Sequence, residues 1–509
     1  MAVADKENSV SLTDMKTINA SKDGAVLCSM IERGLQQGGK VMQPNVIMIL
    51  IDDLGWMDLS CQGSSFYETP NIDKLCAEGM AFDQAYAACP VCSPSRASIL
   101  TGKYPARLKV TDWIDHENYH PCRGKLIDAP YVKELPLSEF SLAKAFQEAG
   151  YQTWHVGKWH LGKAAAYPQF HGFDVNRGGS WWGHPKKGYF SPYHMENLSD
   201  GPEGEYLTDR ISSEAISLIQ QRDRQRPFFL NLWHYAVHTP LQAKAEDIAY
   251  FEAKAKRMGL DQQEPFEIGE AFPIMQKKNQ RVTRRIIQSD SVYAAMIKSL
   301  DDGVGRLMET LKAEALDENT IVIFTSDNGG LATAEHSPTC NFPLSEGKGW
   351  MFEGAVREPL FFRWPGKIAA GSVSHALATS PDFYPTLLEL CGLPLRPEQH
   401  KDGMSLAPVL LHPETKLDRG PIFWHYPHYG NQGGTPGSSL RCGKWKYIEF
   451  YEDQSVRLFD LEQDLSEAHN AAAEHPDLVS QFHILLHNWL DEVDAEYPKE
   501  NPNAEQDMA

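Results

Sequence analysis

Two acidic pairs stand at the ends of apolar runs. Residues 46–51 lead straight into Asp52-Asp53, and residues 321–325 lead through Ser326 into Asp327-Asn328. Each run is continuous, the pattern of a strand buried on both faces. Two similar runs also end in reactive residues. Residues 153–156 open into Gly157-Lys158-Trp159-His160, and residues 228–233 into His234-Tyr235-Ala236-Val237-His238. In an open α/β sheet, ligands bind beyond the carboxyl ends of the strands, so four such ends predict one shared site. Asp52, Asp53, Asp327 and Asn328 offer hard oxygen ligands and neither thiolate nor imidazole, a set that suits Ca²⁺ or Mg²⁺ and not a typical zinc site. Asp and Asn also cap helices. One pair alone would be read that way; two pairs at buried strand ends favour a metal.

A further run, Cys92-Ser93-Pro94-Ser95-Arg96-Ala97-Ser98-Ile99-Leu100-Thr101-Gly102, opens a helix, with proline at an early position. Taken alone, Cys92 has two readings. It is a small buried hydrophobe, or a thiolate nucleophile beside Arg96 and a helix N-terminus, which would make the protein a cysteine hydrolase sensitive to thiol alkylation.

The whole run resembles the signature of the type I, formylglycine-dependent sulfatases of the alkaline phosphatase superfamily. The resemblance extends over roughly residues 44–460 and is greatest to bacterial carbohydrate sulfatases. It implies that a formylglycine-generating maturation enzyme oxidises Cys92 to an aldehyde whose hydrate attacks sulfur. It also implies roles for other motifs. Arg96 would hold the hydrate, Lys158 and Lys348 (in Glu346-Gly347-Lys348-Gly349-Trp350) would bind sulfate, and His160 and His238 (in Val237-His238-Thr239-Pro240) would move protons. Asp52, Asp53, residue 92, Asp327 and Asn328 would hold the metal. With an oxygen from residue 92 and one from sulfate the ligand count reaches about six, which fits Ca²⁺ better than Mg²⁺. One departure is visible: Arg357-Glu358-Pro359 stands where the family commonly has Arg-Val-Pro.

Charge sharpens this reading. The chain has 509 residues and a net charge of −20, which argues against a nucleic-acid partner. An acidic protein that takes an anionic ester needs a local excess of cations. Three carboxylates, an ionised hydrate and a sulfate ester carry about −5, matched by about +5 from a divalent ion with Arg96, Lys158 and Lys348.

Alternating strands and helices predict an α/β fold with a mostly parallel central sheet covered on both faces, and the resemblance makes it an alkaline-phosphatase-like three-layer sandwich. Helical patterns cover 69–79, 137–149, 208–221 and 290–315. After about residue 412 the texture changes to a Gly/Ser-rich loop (431–439), strand candidates at 445–450 and 456–461, and a helix at 478–493. The expected domains are a catalytic domain over 44–412, a smaller C-terminal α+β subdomain with an antiparallel sheet over 420–497, a tail over 498–509 and an N-terminal extension over 1–43. In that extension Ala25, Val26, Leu27, Met30, Ile31 and Leu35 recur at helical spacing. No apolar stretch approaches a membrane span. Residues 1–41 lack the apolar core of a signal peptide, so the chain as written reads as cytoplasmic, or as periplasmic or secreted if an export signal was removed. Nine scattered cysteines form neither a zinc motif nor a disulfide framework. Oligomeric state is not legible.

The expected substrate is a sulfated carbohydrate or other small sulfate ester, with exo action on a galactose-type sugar sulfate. Aromatic and histidine-rich stretches at 113–120, 181–184 and 425–429 are expected to wall its pocket, with His116, Trp182, His184, His425, His428 and Arg441 as binding residues. A phosphonate or phosphate ester hydrolase of the same superfamily is the nearest alternative. A glycan-binding protein with unoxidised Cys92 is another.

Overall fold

The computed structural model describes residues 43–508. The helical spacing expected between Ala25 and Leu35 lies outside the described residues. Eight strands form the central sheet: β1 (Asn45–Ile51), β2 (Met80–Phe82), β3 (Gln152–Gly157), β4 (Val175–Arg177), β5 (Phe228–Trp233), β6 (Thr320–Ser326), β7 (Leu360–Arg363) and β8 (Ser372–Ser374). Their order is β8-β2-β7-β6-β1-β5-β3-β4. The run from β6 to β4 is parallel, while β7 runs antiparallel to both of its neighbours.

The continuous apolar run of β1 has a direct physical consequence. Successive side chains leave a strand on opposite faces. Val46, Met48 and Leu50 enter one core with α2 (Cys92–Thr101), α3 (Leu142–Glu148) and α7 (Phe383–Leu390). Ile47, Ile49 and Ile51 enter the other, with α1 (Pro70–Ala77), α4 (Leu207–Gln221), α5 (Ala245–Arg257) and α6 (Ser291–Ala313). All six side chains are fully buried. Each contributes about 1.5–3 kcal/mol of transfer free energy, so the strand that carries Asp52-Asp53 is held rigidly from both sides. The expected three-layer architecture is present.

Local signals set the helix bounds. Asp290 accepts hydrogen bonds from the backbone N–H groups of Val292 and Tyr293 at 3.0 and 2.9 Å and starts α6. α3 begins later than the apolar spacing predicts. Ser141 caps it through the Lys144 N–H at 3.1 Å, and the preceding Leu137 is exposed in a loop. None of the helices among the described residues is long and apolar enough to cross a membrane.

The C-terminal part is a four-stranded antiparallel meander of β9 (Ile422–Tyr426), β10 (Gly437–Cys442), β11 (Trp445–Phe450) and β12 (Val456–Asp460). Helix α8 (Pro476–Glu492) covers one face, where Phe482, Leu486 and Leu490 meet Leu440, Tyr447 and Leu458. The other face, with Trp424, Ile448 and Phe459, packs on Val91, Trp350 and Val356. The expected helix and two of the strands are there. β9 and β10 are additional, and β10 takes up the end of the segment read as a Gly/Ser loop.

A buried charge network ties this sheet to the segments that carry Tyr86 and Glu353. Lys446 on β11 lies 3.0 Å from Glu353 and 3.1 Å from Glu467, with all three side chains fully buried. Glu353 also accepts from the Tyr86 hydroxyl at 2.9 Å. Removing one member would leave a buried charge unpaired, at a cost of about 3–5 kcal/mol. Arg441 belongs here: it bonds the Tyr86 hydroxyl, the Gln84 side chain at 2.7 Å and, at 3.8 Å, Glu353.

Candidate active site

The carboxyl ends of β1, β3, β5 and β6 converge as their sequences predict. The backbone beyond β1 and β5 is stitched together, with Asp52 N–H donating to Ala236 C=O at 3.0 Å and Val237 N–H to Asp52 C=O at 2.7 Å. At the end of β3, Gly157 has φ +103°, and a Cβ there would meet the Trp233 carbonyl at 1.9 Å. Only glycine permits that approach. It delivers the next residue, Lys158, whose N–H donates to the same carbonyl at 2.7 Å. No helix follows Asp53 or Asn328 among the described residues, so the helix-cap reading of the two pairs fails.

The side chains form a closely tied nest. Lys158 Nζ donates to both oxygens of Asp52, at 2.8 and 2.7 Å. Arg96 Nε donates to Asp327 at 2.7 Å, and Lys348 Nζ to Asp53 at 2.8 Å. Asn328 Nδ2 donates to Asp53 at 2.8 Å. Asp53 itself has φ 62°, a left-handed backbone that Asp tolerates better than most residues. Its carbonyl accepts from the Tyr293 hydroxyl at 3.2 Å, which reaches it from α6.

Cys92 sits in the first turn of α2, with Sγ 3.3 Å from His160 Nδ1. The other imidazole nitrogen of His160, Nε2, lies 3.0 Å from the Ile114 carbonyl and therefore carries the hydrogen. Nδ1 is left as an acceptor facing residue 92. His238 is arranged the other way round: Nδ1 donates to the Thr239 carbonyl at 2.9 Å, and Nε2 faces Asp53 at 3.5 Å.

Burial dominates the electrostatics. It raises Asp52 to about 8 against the lowering effect of Lys158. Burial also acts to raise Asp53, but Lys348 and His238 outweigh it and hold that carboxylate low. Burial, then Lys158, pushes His160 well below the histidine range; burial, then Lys348, does the same to His238. Burial would lower Lys348, but Asp53 more than compensates and keeps it charged. Glu358, at the departure from the family motif, is fully buried. Burial and then Asp327 and Asp53 push it far above the carboxylate range.

The nest suits a hard cation. Asp52, Asp327 and Cys92 Sγ offer ligand atoms within 4.8 Å of one another. The buried Oδ1 of Asn328 has no hydrogen-bond partner among the described residues, as a ligand oxygen would. The donor set is three carboxylates and an amide oxygen, with positive side chains drawn onto the carboxylates.

A cavity of about 920 Å³ opens above the nest, with Cys92, His160, His238 and Lys348 at its floor. His116 and His184 line its wall, as do Trp181, Glu335 and Gln432. The other residues expected to bind substrate lie elsewhere. Trp182 points into the core, and its neighbour Trp181, with Lys186 3.8 Å above its ring, faces the cavity instead. His425 bonds Ser438 at 2.6 Å and the Glu496 carbonyl at 2.8 Å. His428 lies behind the 112–116 loop, bonded to Thr111 at 2.8 Å. Arg441 is held by the Glu353 network. Glu335, His336 and Lys186 were not singled out in the sequence. Glu335, His336 and Ser337 each have positive φ, a backbone course that no local pattern announces.

A buried oxygen nest below a cavity, with Arg96, Lys158 and Lys348 drawn onto its carboxylates, suits an anionic ester. The chain belongs to the sulfatase family. The family model "Sulfatase" matches residues 44–393, and "N-sulphoglucosamine sulphohydrolase, C-terminal" matches 346–495. N-acetylgalactosamine-6-sulfatase of Mus musculus is 34% identical over 77% of this chain and 70% of its own. A sulfatase of Formosa agariphila is 31% identical over 88% and 89%. Among solved structures, Ps i-CgsB in complex with k-i-k-neocarrahexaose is 30% identical, covering 88% of this chain and 93% of that one with a TM-score of 0.70.

Proposed function

We propose that this sulfatase removes sulfate from a galactose-type sugar, acting at a chain end, through a formylglycine made from Cys92. The observation that carries the reading is the position of Cys92: 3.3 Å from the acceptor nitrogen of His160 and beside Asp52 and Asp327 at the cavity floor. The substrate class rests on the names of the relatives, an N-acetylgalactosamine-6-sulfatase and a complex with k-i-k-neocarrahexaose, and on a wall of imidazole, indole and carboxylate groups that suits hydroxyl-rich rings.

The hydrate of the residue-92 aldehyde supplies an oxygen nucleophile and, in its second hydroxyl, the means of releasing sulfate. A thiol or a serine could form the ester but could not expel it this way. His160 Nδ1 takes the proton from that second hydroxyl. Lys158 and Lys348 hold the sulfuryl oxygens and compensate the charge that shifts onto them. Arg96 fixes Asp327 and holds the hydrate. His238 Nε2 delivers a proton to the departing alcohol. Burial, then Lys348, holds it below the histidine range. An anionic ester beside it opposes the effect of Lys348 and favours its protonation.

Asp52, Asp53, Asp327, Asn328 and residue 92 would hold Ca²⁺, which would polarise the attacking oxygen and offset negative charge. Dialysis against chelator is therefore expected to lower turnover by about 100-fold or more, with Ca²⁺ restoring it better than Mg²⁺. Full turnover in protein shown by elemental analysis to be metal-free would refute the metal assignment. Rates on a matched sugar sulfate and sugar phosphate test the ester class: the sulfate should be the faster.

A further inference from the structure

Outside the cavity lining, on the C-terminal sheet, three side chains meet that the sulfatase reaction does not use. His483 and His487 are one turn apart on α8, and their rings lie 4.2 Å apart. Glu449 on β11 faces both: one carboxylate oxygen is 2.6 Å from His483 Nδ1 and the other 2.9 Å from His487 Nε2. The three ligand atoms all lie within 4.8 Å of one another.

We propose that Glu449, His483 and His487 form a second metal site, for a borderline divalent transition ion of the Zn²⁺ class. Histidines at i and i+4 on one helix face present two nitrogens to one point, and a carboxylate from a neighbouring strand completes a His₂Glu set with a position open to water. The Glu449 side chain is only 11% exposed, whereas those of His483 and His487 are 56% and 37% exposed, so an ion has access from solvent while its anionic ligand is fixed. The Tyr447 hydroxyl donates to Glu449 at 2.6 Å and sets the carboxylate's orientation, as an outer-shell partner does.

The ligand chemistry keeps the two sites apart. The active site offers hard oxygens, and this one offers two imidazole nitrogens. A bound ion would clip α8 to β11 and so fasten the last long helix to its sheet.

The test uses the full chain, stripped with chelator and resaturated with Ca²⁺ so that the active site is filled. Zn²⁺ is titrated by calorimetry and its effect on the melting temperature recorded. The wild type should bind one equivalent more than the H483Q/H487Q variant, and only the wild type should gain melting temperature at that equivalent. Glu449→Gln should weaken binding by about tenfold or more. Cu²⁺ as a spectroscopic probe should show two nitrogen ligands in the wild type and one in each single variant. Turnover without Zn²⁺ should be the same in all. Equal Zn²⁺ stoichiometry and equal melting shifts in the wild type and the double variant would overturn the site.

Discussion

Cys92→Ala is expected to reduce sulfate ester hydrolysis by a factor on the order of 10⁶ in kcat, as removal of a nucleophile does where it acts as one unit with its base. The fold should survive. Cys92 is a small side chain in the first turn of α2, and that helix is held by Ala97, Ile99 and Leu100 in the core and not by the thiol. The stability cost should be about 1 kcal/mol, visible as a small shift in the unfolding midpoint. Cys92→Ser should be nearly as inactive where no serine-converting maturation enzyme is present, because a plain hydroxyl lacks the second oxygen that expels sulfate. Retention of most activity in either variant would remove residue 92 from the chemistry and return the cysteine to its bland role as a core side chain.

His238→Ala is expected to separate two kinds of substrate. A sugar alkoxide needs a proton to leave, whereas a nitrophenolate hardly does. Loss of a general acid costs about 10²–10⁴-fold on the former. On nitrophenyl sulfate the loss should be far smaller. Both esters, assayed with both proteins, give the ratio directly. The geometry explains why this histidine is singled out: its Nδ1 is tied to the Thr239 carbonyl at 2.9 Å, which leaves Nε2 as the nitrogen that faces the nest and cavity. Equal losses on the two esters would transfer the acid role elsewhere, with Lys348, also on the cavity floor, the first candidate.

Much of the site was legible because its physical causes are local. A strand buried on both faces must be apolar throughout, so β1, β5 and β6 declare themselves, and the polar residues that end each run mark the catalytic edge. The glycine of Gly157-Lys158-Trp159-His160 is required by a close backbone approach, so it too leaves a trace in sequence. The walls of the cavity leave none. Trp181 and Trp182 are adjacent and chemically identical, and which one faces the substrate depends on how the loop packs. His425, His428 and Arg441 look like sugar-binding groups by composition, yet each is tied to a buried partner away from the cavity lining. β9 and β10 escaped notice for the same reason. Ser438, Ser439, His425 and Arg441 are all buried, so the strands lack a clean apolar alternation. Glu335 and His336 reach the cavity through three consecutive residues of positive φ, a backbone course that no glycine or other local signal announces.

The most direct test of the account is the mass of residue 92 in active enzyme. Trypsin releases it in the peptide that ends at Arg96. In protein that hydrolyses a sugar sulfate, that peptide should be about 18 Da lighter than the sequence requires, and turnover across preparations should rise in proportion to the lighter fraction. Full turnover in a preparation whose residue 92 is entirely an unmodified thiol would contradict the account.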